Sequence, residues 1–138
     1  MQKLIIPIDI SEEDVAHSVL ARAEALASGF EVNVVVMYAI EAVPTYISPR
    51  IPSDLLQQHT KEAEAKLRSL AAAHGLSEGA RLVIRHGKPQ HEIVALAEEE
   101  GADLIVMASH QPTGADILLG SVAASVVRHA HCSVMVVR

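Results

Sequence analysis

Hydrophobic residues along this chain switch between short continuous runs and helical spacing. Leu4-Ile5-Ile6 is a continuous run, and Val32 to Met37 is a valine-rich run that only Asn33 interrupts. Between them, apolar residues recur at intervals of three and four, at Val15, Val19, Leu20, Ala23 and Leu26. Continuous runs are typical of buried strands, and the wider spacing is typical of an amphipathic helix. The first forty residues therefore predict strand, helix, strand.

The same alternation continues to the last residues. A helix is predicted over Asp54 to His74 and a strand over Arg81 to His86. A further helix starts at Pro89 and closes at Gly101, and it is followed by a strand at Leu104 to Ala108. The last helix, about Ala115 to His129, leads into a strand at Ser133 to Val137. Consecutive apolar residues indicate strands covered on both faces, so the predicted fold class is α/β, a doubly wound five-stranded parallel sheet with helices on both faces.

Polar residues and glycines mark the predicted helix ends. Ser11, followed by Glu12, Glu13 and Asp14, has the S-x-x-D form of a helix N-cap. Gly29 is predicted to end that helix in a left-handed conformation. One segment, Glu41 to Pro52, holds three of the six prolines and has neither period. It predicts a long loop, either an ordinary surface excursion or a ligand cover with Tyr46 or Ile47 as contacts.

Composition narrows the class of protein. The 138 residues, half of them hydrophobic, predict a single domain over 1–138 and a soluble globular protein. No apolar run approaches the roughly 20 residues of a membrane helix, so no membrane partner is expected. The net charge of −6 and the scarcity of aromatic residues argue against nucleic acid as a partner. The single cysteine, Cys132, excludes an intrachain disulfide and favours a cytoplasmic location.

The ends of the predicted strands carry the candidate chemistry. In an open parallel sheet, ligands bind beyond the carboxyl ends of the strands, where the winding reverses. Asp9 follows the first strand, where it can accept hydrogen bonds from ribose hydroxyls or a base amine, or help hold a metal through phosphates. The alternative is that Asp9 caps the next helix beside Ser11.

Gly120-Ser121 is the second candidate. A glycine inside a helical register costs about 1 kcal/mol against alanine, which suggests a purpose. Gly120 permits a phosphate to approach, and the amides of Ser121 and Val122, with the Ser121 hydroxyl, are potential donors to it. If the helix instead starts before Gly120, Ser121 merely bonds back to a carbonyl.

The last residues raise two further questions. His129, His131 and Cys132 are zinc ligand types, but they run from a helix end into a strand and need not converge, so no metal site is predicted. His129 is more simply explained by the helix dipole.

The strand from Cys132 to Val137 is apolar and leaves a sheet edge, which predicts pairing with a second copy of the chain.

Several motifs, in order along the whole chain, resemble the universal stress protein family, its bacterial F and G types in particular. The motifs are Pro7-Ile8-Asp9, Gly87-Lys88-Pro89, the segment ADLIVMASH from Ala102 to His110, LLGSV from Leu118 to Val122, and VVRHAHCSVMVV from Val126 to Val137. The resemblance implies a Rossmann-like fold of the adenine nucleotide alpha hydrolase type and a homodimer paired through the last strands.

In one subgroup of that family the resemblance also implies ATP binding through G-x2-G-x9-G-[ST]. Here Ala108 replaces the first glycine, Gln111 replaces the second, and the interval is one residue shorter, so only Gly120-Ser121 is kept. Gln111 requires ordinary backbone dihedrals unless the loop, with Pro112 and Gly114, is rebuilt. The F-type proteins are similar in carrying an altered ASHxP loop, and an adenine nucleotide is still expected there.

The resemblance assigns a role to each candidate residue. Pro7, Met37 and Met107 form apolar walls for adenine, and Asp9, next to Ile8, contacts the base or ribose. Ala108, His110 and Gln111 line the ribose and phosphate side, while Gly120, Ser121 and Val122 hold phosphates. Met37 and Met107 are equally explained as core strand residues.

The predicted function is therefore that of a universal stress protein-like module that binds ATP, or AMP or ADP, with Mg²⁺ held through the phosphates. Nucleotide binding is expected to change the shape of the dimer or its choice of an unidentified protein partner in stress signalling. No P-loop or G-x-S-x-G elbow is present, and His110 alone is weak evidence for catalysis, so turnover is expected to be negligible. The alternatives are a dimeric scaffold that has lost the nucleotide, a slow nucleotide hydrolase, and a phosphoacceptor, for which only Asp9 is in place.

Overall fold

Strands and helices alternate along the chain in the computed structural model, which describes residues 2–41, 53–76, 78–109 and 119–138. The elements are β1 (Lys3–Pro7), α1 (Glu13–Ala27), β2 (Asn33–Ile40), α2 (Ser53–Ala72), β3 (Arg81–His86), α3 (Pro89–Glu100), β4 (Leu104–Ala108), α4 (Ser121–His129) and β5 (Ser133–Val137). The predicted α/β class is confirmed.

The five strands form one parallel sheet in the order β3-β2-β1-β4-β5. The first strand of the chain is thus the central one, and the winding direction reverses between β1 and β4. Register between β1 and β2 runs from Lys3–Asn33 to Pro7–Met37, whereas between β1 and β4 it covers only Leu4–Leu104 and Ile5–Ile105. The two strands at the reversal therefore part before their carboxyl ends, which is where a crevice opens in such sheets.

Side chains on successive residues of β1 enter different cores, which explains the continuous apolar runs. Leu4 and Ile6 are fully buried in the core beneath α1 and α2. Ile5, between them, is fully buried in the core beneath α3 and α4. Because side chains alternate across a strand, a sheet covered on both faces requires apolar residues at every position.

The ends of α1 and α3 are set by the residues that the sequence suggested, with one exception. Gly101 closes α3 at φ 62°, and Gly29 follows α1 at φ 84°, both in the left-handed region that favours glycine. The prediction that Ser11 caps α1 is wrong. Glu12 occupies the N-cap position, and the Ser11 hydroxyl donates to Asp9 instead.

The start of the last helix also differs from the prediction. Gly120 is the N-cap of α4, with an extended backbone at φ −59° and ψ 155°, and the helix begins at Ser121 rather than near Ala115. The alternative in which Ser121 lies inside a helix that starts before Gly120 is therefore excluded. Residues 115–118 lie outside the described ranges.

β5 pairs with β4 along one side, and in the part of the sheet that is described it has no neighbour on the other. Its side chains from Val134 to Val137 are partly exposed. Among the described helices, none combines the length and apolar character that crossing a membrane requires.

Candidate functional site

A cleft of about 410 Å³ lies at the carboxyl ends of β1, β2 and β4. This volume is within the usual range for small-molecule sites. Its walls also come from the first turns of three helices, α1, α3 and α4. The lining residues are Pro7, Ile8, Asp9, Ser11, Glu12, Val15, Ala16, Val19, Met37, Tyr38, Ala39, Glu41, Pro89, Ile93, Met107, Ala108, Gly120, Ser121, Val122 and Ala123. Every sequence-predicted site residue within the described ranges is among them.

Asp9 is held by its own loop. Its Oδ1 accepts hydrogen bonds from the Ser11 backbone N–H at 3.0 Å and from the Ser11 hydroxyl at 2.6 Å. A side chain that accepts from the residue two positions on is characteristic of an Asx turn. Asp9 itself is exposed, whereas Ile8 beside it is only 5% exposed and donates its N–H to Met37 O at 2.8 Å. The end of β1 is thus anchored to β2, and its carboxylate is presented to the cleft.

Met37 and Met107 form an apolar part of the cleft and also belong to the core. Met37 is fully buried and Met107 is 4% exposed, and both pack in the core beneath α3 and α4. The two interpretations of these residues are therefore compatible. Flexible thioether side chains adapt well to a flat apolar ligand, and Pro7, partly exposed, lies in register with Met37.

The start of α4 supplies main-chain donors. The first backbone hydrogen bond of the helix runs from the Ala124 N–H to Gly120 O at 2.9 Å. The N–H groups of Ser121, Val122 and Ala123 come before it and have no partner inside the helix. Amides without a partner inside the helix and the positive end of the helix dipole make this position suited to an anion such as a phosphate.

The opposite part of the cleft is acidic and contains a phenol. Asp9, Glu12 and Glu41 line it together with Tyr38. Burial raises the pKa of the Tyr38 phenol, and the negative charges of Asp9 and Glu41 raise it further. The cleft therefore combines acidic side chains, which suit hydrogen-bond donors of a ligand, with helix N–H groups, which suit anions.

Two predicted site residues, His110 and Gln111, lie outside the described residues, as do Tyr46, Ile47, Pro112 and Gly114. Sequence reasoning missed other parts of the cleft wall. It did not identify Tyr38, or the face of α1 that includes Val15 and Ala16. The position of Tyr38 near the carboxyl end of β2 was the available signal, because ligands bind at such ends in this class of sheet.

The histidines and cysteine near the last strand do not meet at one point. His129 Nδ1 donates to Ser125 O within α4 at 2.8 Å, whereas His131 Nε2 lies 3.0 Å from a carboxylate oxygen of Glu98 on α3. Burial raises the pKa of the Cys132 thiol. Within the described ranges, no three side chains of metal-ligating type form a group that could hold a metal ion.

Comparison with known sequences gives one consistent family. The model of the universal stress protein family matches residues 1–138. A universal stress protein of Methanocaldococcus jannaschii is 36% identical over 143 residues, covering 99% of this chain and 82% of that protein. Universal stress protein G of Shigella flexneri is 32% identical over 140 residues, covering 98% of this chain and 97% of that protein.

Solved structures show the same fold. A hypothetical protein whose biochemical function was assigned from its structure superposes with a TM-score of 0.80 at 29% identity, covering 99% of this chain and 94% of that one. A universal stress protein in complex with cAMP gives 0.73 at 23% identity, over 99% and 97% of the two chains. One from Archaeoglobus fulgidus in complex with dAMP gives 0.67 at 22%, over 100% and 98%. At 23% and 22% identity, the similarity to these last two structures shows the fold alone.

Proposed function

Because this chain belongs to the universal stress protein family, we propose that it binds ATP, or AMP or ADP, in the cleft at the carboxyl ends of β1, β2 and β4. The observation that carries this proposal is the arrangement of three chemistries around one cavity. Apolar walls from Pro7, Met37 and Met107 suit a base, Asp9 suits a sugar or base donor, and the first N–H groups of α4 suit phosphate. Two solved members of the fold hold adenine nucleotides, cAMP in one and dAMP in the other.

The polarity of the cleft favours one orientation of the proposed nucleotide. Phosphates next to Asp9, Glu12 and Glu41 would meet like charges, whereas at Ser121 and Val122 they meet N–H groups. The nucleoside therefore lies toward Asp9 and the phosphates toward α4. Mg²⁺ is held through those phosphates and offsets part of their charge. His110, Gln111 and Ala108 complete the phosphate side in this proposal.

The chain acts as a binding module of stress signalling with negligible turnover, and it works in the cytoplasm. Phosphate release from ATP, followed with purified protein, is expected to stay far below 1 per second, and a rate near that value would make it an enzyme of ordinary speed.

Nucleotide occupancy is proposed to alter the shape of a homodimer or its choice of an unidentified protein partner. The homodimer pairs through Cys132 to Val137, because the open edge of β5 exposes apolar side chains that a second copy would cover.

The nucleotide proposal is tested by two measurements. Freshly purified protein is denatured and the released small molecule is identified by mass, and refolded or ligand-free protein is titrated with ATP by calorimetry. Asp9→Asn is expected to weaken binding about tenfold, the equivalent of one hydrogen bond to a charged group. Asp14→Asn is the matched control, because Asp14 lies in the first turn of α1 and is not part of the cleft wall.

A released adenine nucleotide, or saturable ATP binding that Asp9→Asn weakens, supports the proposal. No released nucleotide and no binding at millimolar ATP would instead support the dimeric scaffold, which the substitutions Ala108 and Gln111 in the glycine pattern favour. Light scattering at micromolar concentration tests the dimer, and a monomeric mass would contradict it.

A further inference from the structure

Tyr38 lies at a position where its side chain can contact a ligand as well as pack against the core. It is the sixth residue of β2, in register with Ile84 of β3, and its half-buried side chain packs against the core beneath α1 and α2. It also lines the cleft. Met37, the residue before it, enters the opposite core. The two consecutive residues thus belong to opposite layers of the protein and meet the same cleft.

Tyr38 lines the cleft together with Asp9 and Glu41, and the negative charges of both carboxylates act on its phenol. Those charges and partial burial raise its pKa above the ordinary value for tyrosine, which already lies near 10, so at neutral pH the phenol is protonated. A protonated phenol is a hydrogen-bond donor as well as an acceptor.

Asp9 complements that donor. Its Oδ1 already accepts two hydrogen bonds from Ser11, and this fixes the orientation of the carboxylate. An ionised carboxylate only accepts hydrogen bonds. The same cleft therefore offers an acceptor and a donor, and a ligand hydroxyl can satisfy both because it donates and accepts at once. A purine ring, by contrast, needs chiefly the apolar walls at Pro7, Met37 and Met107.

We propose that Tyr38 is a specificity-determining residue that, together with Asp9, selects ligands carrying the ribose hydroxyls over their deoxyribose counterparts. This inference rests on the proposed nucleotide binding and adds its sugar preference. The Tyr38 hydroxyl donates to a ribose hydroxyl, and that same diol donates to the Asp9 carboxylate.

Binding of ATP, 2′-deoxyATP and 3′-deoxyATP to the wild type and to Tyr38→Phe provides the test. Phenylalanine keeps the ring that packs against the core and removes only the hydroxyl. The wild type is expected to bind ATP about tenfold more tightly than at least one deoxy analogue, the usual scale for one hydrogen bond. In Tyr38→Phe that ratio is expected to fall to about one, with affinity for the same deoxy analogue unchanged.

A second measurement observes Tyr38 in the unaltered chain. Incorporated 3-fluorotyrosine labels both tyrosines of the chain, and the Tyr38 resonance is the one that labelled Tyr38→Phe lacks. ATP is expected to shift this ¹⁹F resonance more than the discriminated deoxy analogue does at equal saturation. The Ser18→Ala protein, altered at an exposed hydroxyl of α1 that donates to Asp14 O, should keep the wild-type sugar preference.

The outcomes separate the two proposals. If the wild type binds ATP but Tyr38→Phe keeps the full sugar preference, or if the wild type shows none, the role of Tyr38 is wrong and nucleotide binding stands. If the wild type binds no adenine nucleotide at all, both proposals fall. A collapse of the preference in Tyr38→Phe, with the resonance shift, supports the inference.

Discussion

The Ser11 hydroxyl donates to Asp9 Oδ1 across 2.6 Å, and the Ser11 backbone N–H donates to the same oxygen across 3.0 Å. Ser11 therefore orients the carboxylate instead of capping the helix. Ser11→Ala removes the hydroxyl and leaves the N–H, and nucleotide affinity is expected to fall about three- to tenfold because Asp9 gains freedom. Calorimetric titration with ATP measures it, with Ser18→Ala as the control. Equal affinities for the two variants would contradict this role.

The contribution of one main-chain donor at the start of α4, the N–H of residue 121, can be tested by substituting Ser121. Ser121→Ala removes the hydroxyl, and Ser121→Pro removes both the hydroxyl and the backbone N–H. Proline is well tolerated in the first helical position, and the extended backbone of Gly120 at ψ 155° suits a residue before proline. The proline variant is expected to bind ATP about tenfold more weakly than the alanine variant, through loss of one charge-assisted hydrogen bond.

Thermal stability provides a control for the Ser121 variants. The thermal midpoints of Ser121→Pro and Ser121→Ala should agree within a few degrees, because the N–H that is lost has no partner inside the helix. Ser125→Ala, one turn further along α4, should leave ATP affinity unchanged. If proline and alanine at position 121 bind ATP equally well, the amide of residue 121 is not a phosphate donor.

Gly87 is required by the backbone where β3 turns into α3. Its φ is +152°, and a Cβ there would lie 3.0 Å from a carboxylate oxygen of Glu92. Gly87→Ala is expected to lower the free energy of unfolding by about 1–3 kcal/mol, the usual cost of such strained conformations. Gly101→Ala is the comparison, because φ is +62° there and no atom lies within 4 Å of the added Cβ. Urea denaturation should find Gly87→Ala the less stable of the two variants.

Asp103 ties the beginning of the chain to the sheet. Its Oδ2 accepts the backbone N–H groups of Gln2 and Lys3, both at 2.8 Å, and these bonds hold the pKa of the carboxyl below its usual range. A depressed folded pKa stabilises the protein above the unfolded value, about 4, and that contribution is lost as the pH falls through the folded value. Asp103→Ala should therefore be less stable than the wild type at pH 7.

The difference between the urea midpoints of the two proteins should narrow as the pH falls below about 4. Asp103→Asn separates charge from geometry, because it keeps one acceptor oxygen for the two N–H groups and carries no charge. It is expected to fall between the wild type and Asp103→Ala at pH 7. A gap that stays constant over this pH range would show that the charge of Asp103 contributes nothing.

Much of the fold was predictable because burial on both faces leaves a strong trace in the sequence. The strands Arg81–His86, Leu104–Ala108 and Ser133–Val137 have the bounds that their apolar runs predict. Ser11 was misassigned because its hydroxyl donates to the carboxylate of Asp9, two residues earlier, instead of accepting a hydrogen bond from a helix N–H. The start of α4 was placed too early because apolar spacing alone does not mark an N-cap.

The candidate site was predictable where a residue is chemically distinctive and not where it resembles the core. Asp9 and Gly120-Ser121 interrupt the apolar pattern and were found. Val15 and Ala16 line the cleft with side chains that follow the same helical spacing as the buried face of α1, so sequence alone gave them no separate meaning. Tyr38 continues the apolar run of β2, and only the topology shows that this run ends beside Asp9.

β1 lies at the centre of the sheet, so its two neighbouring strands become available at different times during synthesis. Leu4 pairs with Val34 early, but its other partner, Leu104, is made a hundred residues later. Until β4 arrives, a nascent chain holding β1, β2 and β3 exposes one edge of β1, and the wall formed by Met107 and Gly120 does not exist. A ligand that needs this wall can therefore bind only a chain whose translation has passed the start of α4.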